Sequence, residues 1–205
     1  MGRRNEHSRE QQIEMAIAAA ELLIVREGMA GFSMRKVARA IGYTVGQLYL
    51  LFKNQDELFI VLNERTADVI YTALRDATEH LSADGAAAIG AAARAYVDFA
   101  QRHPNRWQLL FEHRLPPGTP VPAANQRKVQ RLFALIESLL APLRPELDAA
   151  QLRLEATALW SGVHGVAVLA QSRKLVWSGV DDYGVLTDRI VASFLAPVGT
   201  ALSGR

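Results

Sequence analysis

The chain has 205 residues, 50% of them hydrophobic and 21% charged, with a formal net charge of +2; this is globular composition and excludes a disordered or strongly polyanionic or polycationic chain. No cysteine is present, which excludes disulfides and thiolate metal sites. The N-terminal run MGRRNEHSREQQIE has no apolar core of a signal peptide, and the longest apolar stretch, around Trp160 to Ala170, is interrupted by His164 and falls short of the roughly 18–20 residues of a membrane span, so a cytoplasmic protein without a membrane partner is expected.

Helical periodicity dominates and strand alternation is almost absent, so the fold class is all-α. Ile13, Ile17, Ala20 and Ile24 share one face of a helix from about Ser8 to Glu27, closed by Gly28 and Gly31. Ser33 can cap a second helix bearing the stripe Met34, Val37, Ala38 and Ile41, which Gly42 stops. Thr44 and Gln47 have capping-box spacing for a third helix with Leu48 and Phe52 inward. Asn54 and Glu57 repeat that spacing and open a long fourth helix with Leu58, Leu62, Val69, Ala73 and Leu81 inward.

A fifth helix carries Ile89, Tyr96 and Phe99, and a sixth starts at Pro104 and carries Trp107 and Phe111 at i and i+4. LPPGTPVP is the only proline-rich loop. Helices over about 123–143, 148–176 and 181–198 complete a set of about nine. No internal repeat or low-complexity tract interrupts them.

The second and third helices are too short to stand alone, since isolated helices below roughly 12–15 residues are marginal in water. Joined by a glycine-containing turn and leaning on a long first helix, they form a helix-turn-helix, in which the second short helix is a probe for the DNA major groove. Residues 1–53 hold eight Lys or Arg against five Glu, a weak basic bias in the same direction.

The run GFSMRKVARAIGYTVGQLYLLFKNQDEL resembles the DNA-binding domain of the TetR (tetracycline-repressor) family of bacterial regulators. The match extends over about residues 9–60 and lies in the order and spacing of Phe32-Ser33, Val37-Ala38, Gly42, Thr44, Gly46, Leu48-Tyr49, Phe52-Lys53 and Asp56-Glu57-Leu58. RHPNRWQLLFEH and LWSGVHGVAVL are similar to the subgroup with a Trp…His-Gly signature, here Trp160, His164 and Gly165. The resemblance implies a helix-turn-helix domain over residues 1–54 and a ligand-binding and dimerisation domain over 55–205. It also implies a transcriptional regulator, most often a repressor, that holds a palindromic double-stranded DNA operator as a homodimer and is released by a small-molecule effector.

Carried over residue by residue, the resemblance assigns Ser33, Arg35, Thr44, Val45, Gly46, Gln47 and Tyr49 to the DNA-facing side and Lys53 to a phosphate. The chemistry agrees: hydroxyls suit phosphate oxygens, Gln47 can pair with an adenine edge and Val45 can touch a thymine methyl. The chain departs from the family at Val45, Leu50 and Leu51, where polar, aromatic or basic residues are common. Fewer phosphate contacts would then come from this helix, and Arg3, Arg4 and Arg9 are candidates to supply others.

Tyr96, Phe99, Trp107, Phe111 and Phe133 read by spacing as core aromatics; the resemblance adds a ligand-lining role for them, together with Trp160 and His164. His164 has no second histidine or carboxylate at i±4, which speaks against metal, and no cofactor is expected. The last two helices are apolar on too many sides for surface helices. Leu154, Ala158, Val166 and Leu169, with Leu186, Ile190 and Phe194, would leave a patch that asks for a partner. The resemblance makes that partner a second copy, through a four-helix bundle.

Two other function classes stand beside the regulator. Val45, Leu50 and Leu51 would favour a helical interaction protein whose motif no longer reads DNA, and steep salt dependence of DNA binding separates that reading from the first. An enzyme finds no support in any H-E-x-x-H, G-x-S-x-G or phosphate-cradling motif, and none is expected.

Overall fold

The computed structural model describes residues 7–81, 84–180 and 182–196. Among them are nine α-helices and no strand: α1 (Arg9–Gly31), α2 (Met34–Ala40), α3 (Val45–Tyr49), α4 (Gln55–Thr78), α5 (Gly85–Arg102), α6 (Pro104–Glu112), α7 (Ala123–Leu140), α8 (Ala149–Gln171) and α9 (Tyr183–Leu195). They fall into two compact units. One contains the residues up to Val69 together with His103–Lys128; the other contains Ile70–Arg102 and the residues from Val129. The first unit is a packing unit and reaches further along the chain than the DNA-binding segment named from sequence.

In the first unit, Ser8 and Gln11 close a capping box at the start of α1. Ile17, Ala20 and Ile24 are buried and Ile13 is half-buried against the core. At Gly28 the backbone turns to φ 66°, so α1 kinks there; Gly31 is its last residue but is not left-handed, so of the two glycines named as stops only Gly28 breaks the helical conformation. The kink is held by Asn105 on α6, whose Nδ2 donates to the Val25 carbonyl at 3.0 Å and whose Oδ1 would lie 3.1 Å from any Cβ at position 28. Ser33 caps α2, and Gly42 at φ 74° lets the Tyr43 N–H return to the Ala38 carbonyl at 2.9 Å, closing the helix. Met34, Val37, Ala38, Leu48, Phe52, Leu58, Phe59, Leu62 and Leu109 join the α1 residues in one core.

Along α4 the buried stripe is Leu58, Leu62, Thr66, Ile70 and Leu74. Val69, expected inward, is exposed, because at 100° per residue the inward direction has passed to Ile70.

In the second unit α5, α8 and α9 pack together. Alanines line the buried face of α5, and Gly162 on α8 lies under Ile190 of α9, where a Cβ would be 3.1 Å from Ile190 Cγ2. Ends are tied across helices: Gln171 Nε2 donates to the Ala100 carbonyl at 2.7 Å, and Arg144 Nη2 reaches the carbonyls of Phe194 and Leu195. Arg94 pairs with Asp188. α8 stops at Gln171, short of the expected 176. Arg173 takes φ 55°, the Lys174 N–H bonds back to the Leu169 carbonyl, and the apolar run continues as a 3-10 turn over Leu175–Ser178. The expected end of the ninth helix near residue 198 lies outside the described residues.

Candidate nucleic-acid interface and aromatic cluster

α3 has five residues, and its geometry comes from its neighbours. Leu48 and Phe52 are buried in the core of the first unit, as their spacing predicts, while Val45 and Leu51 pack half-buried at its edge. Two of the three departures from the family pattern are therefore packing residues. The third, Leu50, leaves 73% of its surface exposed.

Thr44 and Gln47 form the expected capping box. The Gln47 N–H donates to Thr44 Oγ1 at 3.2 Å, and Gln47 Oε1 accepts from the Thr44 N–H at 2.8 Å and from its hydroxyl at 3.1 Å. That oxygen has two lone pairs and both are used. Reading an adenine edge needs the oxygen as well as the amide N–H groups, so it would require the cap to open; in this geometry the side chain turns its donor end outward, which suits base acceptors.

Tyr49 is half-exposed, and Arg35, Thr44, Gly46 and Lys53 are exposed on the same short segment. Ser33 is half-buried with its hydroxyl accepting from the Lys36 N–H, so it positions α2. Lys36 is engaged with Glu27 at 2.5 Å and with the Gly31 carbonyl. Arg39, one turn beyond Arg35 and also exposed, adds a third cation to Arg35 and Lys53. Sequence reading omitted it, although the i+4 spacing from Arg35 was the available signal. Arg9 instead supports the fold: its Nη2 donates to the Leu50 carbonyl at 3.1 Å, at the end of α3. Arg3 and Arg4 lie outside the described residues.

The seven aromatic and histidine candidates divide. In the second unit Phe133, Trp160, His164 and Tyr96 form a chain of ring contacts, with centroid separations of 5.7 Å, 4.8 Å and 6.2 Å in that order. The Tyr96 hydroxyl lies 2.8 Å from His164 Nδ1. Phe99 is buried in the same unit. Trp107 and Phe111 stack with each other at 4.7 Å in the first unit. Burial pushes the His164 pKa below its ordinary 6.5, so the ring is neutral at pH 7 and Nδ1 can accept from tyrosine.

The unfolded chain takes up the His164 proton first, so this contribution to stability is complete above pH 6.5 and is lost as pH falls from there through the lowered folded value. His164→Gln is expected to shrink the difference in Tm between pH 7.5 and 5.5. An unchanged difference in thermal melts would contradict a lowered His164 pKa in the folded protein.

On α8, Leu154 (68% exposed), Ala158 and Leu169 lie on the surface of the second unit, with exposed Val168 extending the stripe. Val166 does not belong to it. It is buried, because it lies about 100° round the helix from Leu154 and Ala158, on the side of buried Leu159 and Val163. Leu186, Ile190 and Phe194 on α9 are half-buried. Among the described residues no helix is long and apolar enough to cross a membrane, and no three His, Asp or Glu side chains are placed to hold a metal ion.

A short recognition helix fixed by a core and two caps, at the head of an otherwise helical chain, defines a helix-turn-helix transcription regulator. Residues 16–62 match the family described as bacterial regulatory proteins, tetR family, and residues 89–194 match the tetracyclin repressor-like C-terminal domain. The chain belongs to the TetR family. Solved structures agree in fold. A protein of unknown function from Rhodococcus sp. RHA1 is 21% identical, with a TM-score of 0.75 over 95% of this chain and 97% of that one. The fatty acid degradation regulator FadR from Bacillus halodurans is 16% identical, with a TM-score of 0.65 over 92% and 96%. RolR, solved in complex with resorcinol, is 18% identical, with a TM-score of 0.67 over 93% and 89%.

Proposed function

We propose that this regulator binds a palindromic operator as a homodimer in the cytoplasm and is released by a small, largely apolar effector held among its central helices. The observation that carries the reading is the exposed row Arg35, Arg39, Tyr49 and Lys53 around a recognition helix whose inner face is locked by Leu48 and Phe52. DNA binding through such a row positions the helix by phosphate contacts and leaves Gln47 and Tyr49 for the groove. The structure of RolR with resorcinol and the naming of FadR for fatty acid degradation support a small-molecule signal. The ring chain of Phe133, Trp160, His164 and Tyr96 supplies an apolar wall with one polar handle, the composition usual in ligand sites. The α8 stripe of Leu154, Ala158 and Leu169, with Leu186, Ile190 and Phe194 beside it, supports the dimer. For release, the effector must bind the DNA-competent state and its alternative with different affinities.

Exposed Leu50 on the DNA-facing segment favours a second reading, in which the motif serves a protein contact. A gel shift of the purified protein against its own upstream DNA, with excess random DNA as competitor, separates the two. A shift that survives the competitor is expected; a shift abolished by random DNA as readily as by the specific fragment would favour the second reading.

A further inference from the structure

Trp177 leaves 80% of its surface exposed on a turn that is held at both ends. The Arg173 N–H bonds to the Ala170 carbonyl and the Lys174 N–H to the Leu169 carbonyl, which closes α8. The Gly179 N–H then bonds to the Val176 carbonyl, and Asp182 caps α9. At three residues per turn, burial of Leu175 sends Val176 and Trp177 outward. Lys174 Nζ lies 5.7 Å from the Trp177 ring centroid, so cation and ring share this end of α8. Tryptophan is over-represented among the residues that dominate interfaces, and an ordered turn displays it at little entropic cost.

The outer face of α8 continues from that turn. Leu154, Ala158, Ser161, Gly165, Val168 and Ser172 recur at alternating four- and three-residue steps, the spacing at which one helix lies along another. All are exposed except half-buried Gly165, above which the space is open. About five turns of surface helix without a charge are poorly suited to water. The charges stand at the ends: Arg173 and Lys174 are exposed at one, Glu146 at the other. Asp148 and Asp182 are engaged as caps, and Arg153 pairs with Glu137.

The geometry points to a second copy of this chain as the partner for Trp177, which seats over the Pro145–Asp148 end of the partner's α8. The inference rests on the homodimer reading above and gives it an orientation. A two-fold axis beside Ser161 runs the two α8 helices antiparallel and sets Leu154 on the partner's Leu169 and Ala158 on the partner's Gly165. The same reversal brings Arg173 and Lys174 to the partner's Glu146. A parallel pair would instead set both cations against the same cations of the partner. Matched charges of this kind fix register more than affinity, which falls to the tryptophan. With about 150–250 Å² buried per tryptophan, the two anchors supply roughly a fifth of the ~1,600 Å² of a standard interface.

The test measures the dimer dissociation constant of the whole protein by sedimentation. Trp177→Ala is expected to raise it at least tenfold without changing the helical circular-dichroism spectrum. Arg173→Glu with Lys174→Glu should also raise it, and adding Glu146→Lys should recover most of the loss. Because the chain has no cysteine, Ser161→Cys introduces the only thiol, and mild oxidation should give a covalent dimer through a residue that meets itself across the axis. A parent that sediments as a monomer removes the homodimer reading and this inference together. A dimeric parent whose constant Trp177→Ala leaves unchanged, whose charge swap recovers nothing, or whose Ser161→Cys variant stays uncrosslinked overturns the antiparallel anchor alone, and the homodimer stands.

Discussion

A Leu154→Glu, Leu169→Glu double variant is expected to sediment as a monomer and to lose at least a hundredfold in operator affinity. Both side chains are exposed on α8, one turn from Ala158 and beside Val168 respectively, and neither supports the core of its own unit. Their replacement should leave the helical circular-dichroism spectrum unchanged. In a two-fold interface each glutamate would meet its own counterpart or an apolar surface, and burying an unpaired carboxylate there is strongly unfavourable. Operator binding suffers because a dimer engages its second half-site intramolecularly, an advantage on the order of 10²–10⁴ that a monomer forfeits. A variant that stays dimeric would move the interface away from α8.

Leu48→Ala is expected to carry the largest stability loss. Leu48 is fully buried and is the one residue of α3 anchored in the core with Val37, Phe52 and Leu58 around that core. Loss of a buried leucine costs about 2–5 kcal/mol, a large part of the stability of a typical domain. Because α3 is too short to hold itself, specific DNA binding should fail before the rest of the protein melts. Leu50→Ala, two positions along and mostly exposed, should change stability by less than about 0.5 kcal/mol. Urea titrations of the two variants check the contrast; similar losses in both would mean that the inner and outer faces of α3 are assigned wrongly.

The DNA-binding head was legible in the sequence because its signals are local. Caps at Ser33, Thr44 and Asn54, and glycines at 28 and 42, act within four or five residues and appear in the structure with the bonds that their spacing implies. What distance in sequence conceals was harder. That Asn105 and His113 belong with the N-terminal helices depends on packing that no periodicity encodes. The end of α8 was missed because its left-handed residue is Arg173, where a glycine would have marked the turn. Val166 was placed on the surface because α8 is apolar over several faces, so sequence alone does not select the buried one. Arg9 was read for DNA, and its bond to the Leu50 carbonyl is visible only in three dimensions; the Gln47 capping box was legible, but not that it occupies both lone pairs of the side-chain oxygen. Asn63 reads in sequence as an ordinary polar position on a long helix, yet it is buried.

The salt dependence of binding to the specific fragment tests the central claim most directly. Arg35, Arg39 and Lys53 give three exposed cations per head and six per dimer. With a slope of about −0.9 per phosphate neutralised, log affinity against log salt should fall with a slope near −5, and Lys53→Ala should reduce its magnitude by about 2. A slope close to zero, or one that Lys53→Ala leaves unchanged, would contradict a DNA-reading role for this face.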